Sequence, residues 1–292
     1  MILSQYTLTN IRYKAHFMAF LTIFIWSLTF VQTKVLLKTL SPEEILIDRF
    51  LLAWLFFWII KPTIMFGNFK EEFLFFLLGA TGIFGYYIME NIALKYTTAI
   101  NVGLIVTTAP IFTSIISFVF GKENIKIKNI FLGFSLVVLG LIVMYYNKVT
   151  PFKIGDLLAI IGAICFGLYS FLVGKIHKKF DGILIIRKTL FWGIFLLFIY
   201  TVFHKTSFHT ISYINYTILL NLLFLAIIAS GLCFLIWRWS ISIIGANKTS
   251  NYIYLVPLIN SIASMIFLNE LINIHIILAS ILIILGLYFS QK

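Results

Sequence analysis

The sequence predicts an all-α membrane protein in which ten transmembrane helices form two inverted five-helix repeats around a central cavity. Composition is one reason: 61% of the residues are hydrophobic and 11% are charged, whereas a soluble domain is about half apolar and about a quarter charged. The other reason is an internal repeat, because residues 99–130 match residues 246–277 with ten identities and no gap. If each copy holds five spans, an odd number, the second copy must sit upside down in the bilayer. The predicted repeats are residues 1–146 and 147–292.

Ten apolar runs account for the predicted helices. A run of about 17–25 mostly apolar residues is long enough to span a bilayer as a helix. Leu, Ile and Phe dominate these runs, and the alternating pattern of an outer-membrane barrel is absent. No small-residue cleavage motif closes the first run, so we expect helix one to be retained. The runs are 17–37, 45–60, 73–94, 99–120, 129–146, 155–174, 189–203, 216–236, 249–268 and 273–290.

The distribution of basic residues predicts the orientation of the chain in the membrane. The formal net charge is +12, and with the N-terminus inside, 15 of the 22 Lys and Arg residues fall in inner segments and 7 in outer ones. This excess follows the positive-inside rule, so we expect both termini in the cytoplasm and loops 38–44 and 205–215 outside a cell (inner or plasma) membrane. The basic residues would then face the lipid bilayer, and no nucleic-acid partner is expected.

The two repeats share a proline in the middle of an apolar run. Pro110 and Pro257 lie near the centres of helices four and nine. A central proline removes one backbone hydrogen bond and kinks the helix, and freed backbone groups inside a bilayer are tolerated only where protein or a cavity satisfies them. Because the two kinks occupy equivalent positions, we interpret them as marking the substrate path.

The repeats also share a glutamate at the end of these runs. Glu123 and Glu270 each follow one apolar run and precede the next. A carboxylate at that position is favoured by the unpaired N–H groups and the dipole of a helix N-terminus. We therefore expect both glutamates to be structural helix caps.

A charge inside helix three is the main candidate for substrate recognition. Glu90 is the only charged residue in 73–94, and at helical spacing it shares a face with Tyr86, Tyr87 and Asn91. A carboxylate within a span is costly unless it faces a polar or wet interior. Glu90 is therefore expected to bind the amine of a substrate or to carry a proton (H+). The alternative is that it pairs with Lys95 or reaches the outer interface.

Several polar and aromatic residues inside other spans complete the candidate site. For each of them alone, a contact between neighbouring helices is the simpler interpretation, but together they fall on the helices expected to surround a cavity. The candidate substrate-binding residues are Trp26, Tyr86, Glu90, Asn101, Tyr169, Trp237 and Tyr252.

Two arginines stand near opposite ends of their spans. Arg49 in helix two and Arg187 in helix seven are 138 residues apart, which is a looser repeat than that of the later helices. We expect both to extend their guanidinium groups to the lipid headgroups.

Chemistry other than transport finds little support in the sequence. Cys165 and Cys233 lie inside spans, which suggests packing rather than a disulfide or a metal site, and no cofactor is expected. No Gly-x-Ser-x-Gly, His-Glu-x-x-His or nucleotide-binding glycine-rich loop occurs, and the histidines are scattered. A secondary-active transporter of a small molecule is therefore the favoured reading, with an intramembrane enzyme or a channel-like protein as the alternative.

One set of residues forms a pattern that spans essentially the whole chain. It consists of Trp26, Ser27, Phe30, Lys34, Arg49, the stretch 93–99, Pro110, Glu123, Gly133 and Gly140, with Ala246, Pro257, Glu270 and Gly286 in the second copy. In these residues the chain resembles the EamA family of the drug/metabolite transporter superfamily. The resemblance implies ten helices in two inverted repeats, a central cavity, and transport of small metabolites, commonly amino acids or related compounds, often outward. Monomer and homodimer both remain open, and Glu90 lies outside the general family pattern.

Overall fold

The computed structural model describes a helical bundle. It covers residues 2–64, 66–120, 127–146, 152–176, 179–206, 215–245, 249 and 251–290, and no strand occurs among them. The helices are α1 (Ile2–Leu36), α2 (Pro42–Ile60), α3 (Phe69–Tyr96), α4 (Ala99–Phe120), α5 (Ile127–Tyr145), α6 (Ile154–Ile176), α7 (Gly182–His204), α8 (Tyr216–Ile244), α9 (Tyr252–Leu268) and α10 (Ile274–Ser290).

Most of these helices are suited to a bilayer. Seven of the described helices, α1 and α3 to α8, are long and apolar enough to cross a membrane, and α9 and α10 are shorter apolar helices. The remaining helix, α2, begins with Pro42, Glu43 and Glu44, which suit a helix N-terminus because proline needs no N–H partner there and carboxylates are favoured by the dipole. The protein is thus a multi-pass membrane protein, while the count of ten spans stays a prediction.

Helix capping explains where two helices differ from their apolar runs. The prediction that helix seven starts at 189 was wrong, because α7 begins at Gly182. The Asp181 carboxylate caps it by accepting a hydrogen bond from the Ile183 N–H at 2.9 Å. Likewise α2 starts before position 45, because Ser41 and Glu44 form a reciprocal capping box. Caps are made by polar residues, so a search for apolar runs places these starts too late.

Local departures from the regular α-helix recur at the repeat spacing. A π-helical segment runs over Gly79–Gly85 in α3 and another over Phe224–Leu232 in α8, and their ends are 147 residues apart. Helix α4 is interrupted at Thr107 and Thr108, and the 3-10 turn Asn251–Leu255 forms the corresponding part of α9.

Each of these interruptions comes just before the shared proline. Pro110 follows the break in α4, and Pro257 follows the 3-10 turn of α9. Proline lacks the N–H that would continue the hydrogen-bond ladder, which accounts for the break. The part that the prolines play in a substrate path stays a prediction.

The packing of the helices also respects the repeat. Helix α3 packs on α6 as α1 packs on α8, α4 packs on α6 as α9 packs on α1, and α3 packs on α7 as α2 packs on α8. In each comparison, the first pair of helices becomes the second pair when every helix is replaced by its equivalent in the other half of the chain. Helices α5 and α10 pack mainly on each other, with Gly286 against the Gly133 carbonyl and Gly140 against Ile283.

We predict that Gly286→Ala weakens the α5–α10 contact. An added Cβ would lie 2.7 Å from the Gly133 carbonyl oxygen and 2.8 Å from a Val137 methyl carbon, and the backbone oxygen cannot rotate away. Overpacking of this kind costs about 1–3 kcal/mol, so thermal unfolding of the purified protein in detergent should shift down by several degrees. The matched control is Gly174→Ala, where a Cβ meets nothing within 4 Å. Equal melting of both variants would contradict the close contact.

Candidate functional site

Aromatic side chains from α1 and α8 meet at the π-helical segment of α8. The Trp26 ring lies 5.3 Å from the Trp237 ring and 5.7 Å from the Phe234 ring. The Trp26 indole N–H donates a hydrogen bond of 2.9 Å to the Ala229 carbonyl, which belongs to that segment. π-Helical segments occur frequently at functional sites, because they redirect side chains and free a backbone carbonyl.

A second aromatic group continues this surface onto α3 and α6. The Tyr86 ring lies 4.5 Å from the Tyr87 ring and 4.9 Å from the Phe166 ring, and Tyr169 is next, 5.7 Å from Phe166. Among the predicted site residues, Trp26, Tyr86, Trp237 and Tyr252 belong to one apolar cluster of the described residues, and Tyr169 adjoins it through Phe166.

Glu90 lies in the interior beside this aromatic surface. Its residue is 1% exposed, and its carboxylate interacts with the Tyr86 hydroxyl and with the charge of Arg49. Lys95, the alternative partner, is exposed. The structure therefore places Glu90 among protein groups rather than at an interface, and its role in recognition stays a prediction.

Arg49 does not reach toward headgroups as the sequence suggested. It is 1% exposed, its Nε–H donates to the Ser230 hydroxyl at 2.8 Å, and its guanidinium carbon lies 4.7 Å from the centre of the Tyr87 ring. A guanidinium in contact with headgroups would need an exposed side chain. Sequence reasoning missed this residue as a site candidate; its partner Ser230 is a small polar residue in the other half that no local pattern connects to it.

Arg187 is also buried, but its hydrogen bonds are those of a structural residue. Its guanidinium donates to the carbonyls of Lys61 and Thr63, where α2 ends, and lies 4.0 Å from the Trp58 ring. The last carbonyls of a helix have no partner within the helix, so Arg187 supplies donors near that end. The expectation that this side chain faces headgroups was therefore wrong as well.

Polar contacts join several helices at the end of the bundle where α3 ends and α4 begins, here called the capped end. The Glu270 carboxylate accepts hydrogen bonds from the Ala99 N–H at 2.8 Å and the Ile100 N–H at 2.9 Å. Glu270 thus caps α4 in the other half of the chain, whereas the following helix α10 has its own cap in Asn273. Glu123, the other predicted cap, lies outside the described residues.

Two further side chains tie α1 and α6 to the capped end. Lys34 of α1 donates to the carbonyls of Leu94 and Thr97. Buried Asp156 of α6 accepts hydrogen bonds from the Thr97 hydroxyl at 2.8 Å and from the Asn101 amide at 3.2 Å. The predicted site residue Asn101 therefore makes its hydrogen bonds at the capped end and not beside Glu90 and Tyr86.

The opposite end of the bundle is held by charges on α2, α7 and α8. Lys61 and Arg238 approach the Asp181 carboxylate at 3.4 Å and 4.0 Å. Burial raises the pKa of Asp181, but hydrogen bonds from the Ile183 N–H and from Lys61 outweigh that effect, so its pKa lies below the usual value.

The Tyr252 hydroxyl lies 3.0 Å from a His16 ring nitrogen, which links α9 to α1.

Metal ligation is not indicated in the described part of the chain. No group of three or more His, Cys, Asp or Glu side chains there is arranged to hold a metal ion, and Cys165 and Cys233 are free thiols.

Comparison with known proteins gives one consistent result. The profile of the EamA-like transporter family matches twice, over residues 13–146 and 153–291. A protein of Archaeoglobus fulgidus named "Uncharacterized transporter" is 28% identical over 288 residues, covering 95% of this chain and 97% of its own. The "Uncharacterized transporter YyaM" of Bacillus subtilis is 29% identical over 223 residues, covering 74% and 72%. A solved crystal structure with 15% identity superposes with a TM-score of 0.66 over 97% of this chain and 96% of that one, which shows a shared fold.

We predict that Glu270→Gln loosens the capped end. The neutral amide cannot replace the charge-assisted hydrogen bonds to the Ala99 and Ile100 N–H groups, and such bonds contribute about 1.5–3 kcal/mol. A cysteine placed at the fully buried Ala99, after replacement of Cys165 and Cys233, should then react with a water-soluble maleimide about 10-fold faster.

The matched control for this experiment is Glu71→Gln. That carboxylate caps its own helix, α3, at the Asn68 N–H near the other end of the bundle. Labelling at position 99 should not change in this variant. If Glu270→Gln labels no faster than Glu71→Gln, Glu270 does not hold the capped end closed.

Proposed function

This chain belongs to the EamA-like transporter family, and we propose that it is a secondary-active transporter that exports amino acids or related amines across the cell membrane by alternating access. Membership of the family and the transporter names of its relatives support the coarser statement that it is a membrane transporter. They also argue against the intramembrane enzyme considered from the sequence.

The observation that carries the substrate proposal is the environment of Glu90. A buried carboxylate inside a span is costly without a partner, and here the described partners are the Tyr86 hydroxyl and the charge of Arg49. An ammonium group would be attracted to the carboxylate directly. The faces of Tyr86 and Tyr87 would add cation–π attraction of about 0.5–2 kcal/mol.

Three features support the inverted repeat and alternating access. The same family profile matches each half, and the helix irregularities of α3 and α8 recur at the repeat spacing. In addition, the cap on the α4 N-terminus comes from Glu270 of the other half. Rocking of one half against the other would make and break this contact, which is how inverted repeats expose one site to two sides in turn.

We further propose that the capped end faces the outside and that both termini are cytoplasmic. The support is the excess of Lys and Arg in the segments predicted to be inner, 15 against 7. In this orientation the contacts of Asp181 with Lys61 and Arg238 lie on the cytoplasmic side.

The orientation is tested by labelling single cysteines on intact cells. Cysteines placed in loops 38–44 and 205–215 should react with a membrane-impermeant reagent, and one placed at Lys292 should react only after lysis. Labelling at the C-terminus in intact cells would contradict the orientation.

The role of Glu90 is tested by Glu90→Gln in proteoliposomes with radiolabelled amino acids and their decarboxylated amines. If Glu90 binds the amine, the apparent affinity should fall about 10- to 100-fold while a pH gradient still drives accumulation, because only a charge-assisted contact is lost. If Glu90 carries the proton, exchange should persist while pH-driven accumulation is abolished.

The matched control is Glu71→Gln, which removes a carboxylate that pairs with Lys179 away from the aromatic surface. This variant should transport normally. If Glu90→Gln also behaves normally in both assays, Glu90 is a structural residue and the site must be assigned from the aromatic residues alone.

A further inference from the structure

Protein groups accept hydrogen bonds from only part of the Arg49 guanidinium. Its Nε–H donates to Ser230, but its Nη1 group is buried and has no hydrogen-bond partner in the described part of the chain. The aromatic faces of Tyr87 and Phe50 lie 4.7 Å and 5.3 Å from the guanidinium carbon. A buried cation with an unpaired donor is costly, and such groups are normally paired with protein, ordered water or a ligand.

Glu90, the carboxylate whose charge acts on Arg49, does not accept a hydrogen bond from the Nη1 group. Glu90 and Arg49 attract each other through their charges, yet the described residues include no ion-pair contact between them, and the Nη1 group of Arg49 stays unpaired. One positive and one negative group, on α2 and α3, thus lie beside the neighbouring side chains Tyr87 and Tyr86 without forming an ion pair. A ligand that carries both charges itself could pair with each of them.

We propose that Arg49 binds the anionic group of the transported molecule and makes the site selective for zwitterions, with the carboxylate on Arg49 and the ammonium on Glu90. The proposal rests on the proposed function and deepens it, since simple amines and simple acids would each leave one buried charge without a partner. Guanidinium suits a carboxylate because its donors form a planar fork, and here the Nε–Ser230 bond and the Tyr87 face fix the orientation of that fork.

Arg187 is a buried arginine whose guanidinium already donates its hydrogen bonds to the protein. It is similarly buried, but its guanidinium donates to two backbone carbonyls, those of Lys61 and Thr63. It therefore offers a matched control: replacing it removes a buried arginine and disturbs packing, but should not alter which ligands bind.

The test measures ligand binding to the purified full chain by thermal shift and by radioligand competition. The panel pairs amino acids with their decarboxylated amines and deaminated acids, and L-phenylalanine, phenethylamine and phenylpropionate suit the aromatic surface. Wild-type protein should prefer the zwitterion over the amine about 10- to 100-fold, as expected for one charge-assisted contact. Arg49→Gln should reduce this ratio to within about threefold, Arg49→Lys should retain part of it, and Arg187→Gln should leave it unchanged.

The ratio of two affinities within one variant is used because partial loss of folded protein affects both ligands equally. If Arg49→Gln does not fold, Ser230→Ala, which removes only the Nε partner, should lower the ratio without removing the charge. An equal preference for amine and amino acid in the wild type, or an unchanged ratio in Arg49→Gln, overturns the proposal.

Failure of this proposal can be told from failure of the proposed function. Transport of simple amines that depends on Glu90 and not on Arg49 would keep the transporter and remove the role of Arg49. Zwitterion binding that depends on Arg49, without any counterflow in proteoliposomes, would keep the role of Arg49 and remove the proposed transport.

Discussion

Backbone groups that leave the regular helix inside a bilayer must find partners within the protein, and most of this structure can be traced to that requirement. The Ala229 carbonyl in the π-helical segment of α8 receives the Trp26 indole N–H. The first amides of α4 receive the Glu270 carboxylate, and Lys34 serves the carbonyls at the end of α3. In these three places the partner comes from another part of the chain, so they are also places where helices are joined. The break in α4 differs, because its own Thr107 and Thr108 hydroxyls donate to the carbonyls of Leu104 and Ile105.

The same requirement separates structural charges from candidate ligand groups. Arg187 uses its guanidinium on the carbonyls of Lys61 and Thr63, and Glu270 uses its carboxylate on two amides. Arg49 and Glu90 are more deeply buried than Arg187 and Glu270, and Arg49 keeps an Nη1 donor that has no partner among the described residues. In a medium where an unpaired charge is this costly, that remaining capacity is best explained by a ligand that brings the complementary groups.

Composition and periodicity predicted the helical membrane fold because both are properties of whole segments. They did not predict the start of α7 at Gly182, since a cap depends on a single residue, Asp181. They also misjudged Arg49, because its burial depends on Ser230, far along the chain. Glu270 was correctly expected to cap a helix, but its helix is α4 rather than α10, since a loop carboxylate can reach any nearby N-terminus. Local patterns contain the donors and acceptors, whereas the choice among partners is made by tertiary packing.

The contacts of the capped end limit the free-energy difference between the two conformations of the proposed alternating access. Hydrogen bonds to charged groups contribute about 1.5–3 kcal/mol each, and Glu270 accepts two while Lys34 donates two. Two conformations that interconvert readily must differ by only a few kcal/mol, so losing all of these contacts must be offset at the other end of the bundle. The sequence offers a counterpart, because the first half contains Glu123 at the position equivalent to Glu270. Under the proposed alternating access, a helix cap by Glu123 would offset the loss of the Glu270 contacts, and the free-energy difference left for the substrate to bias would be small.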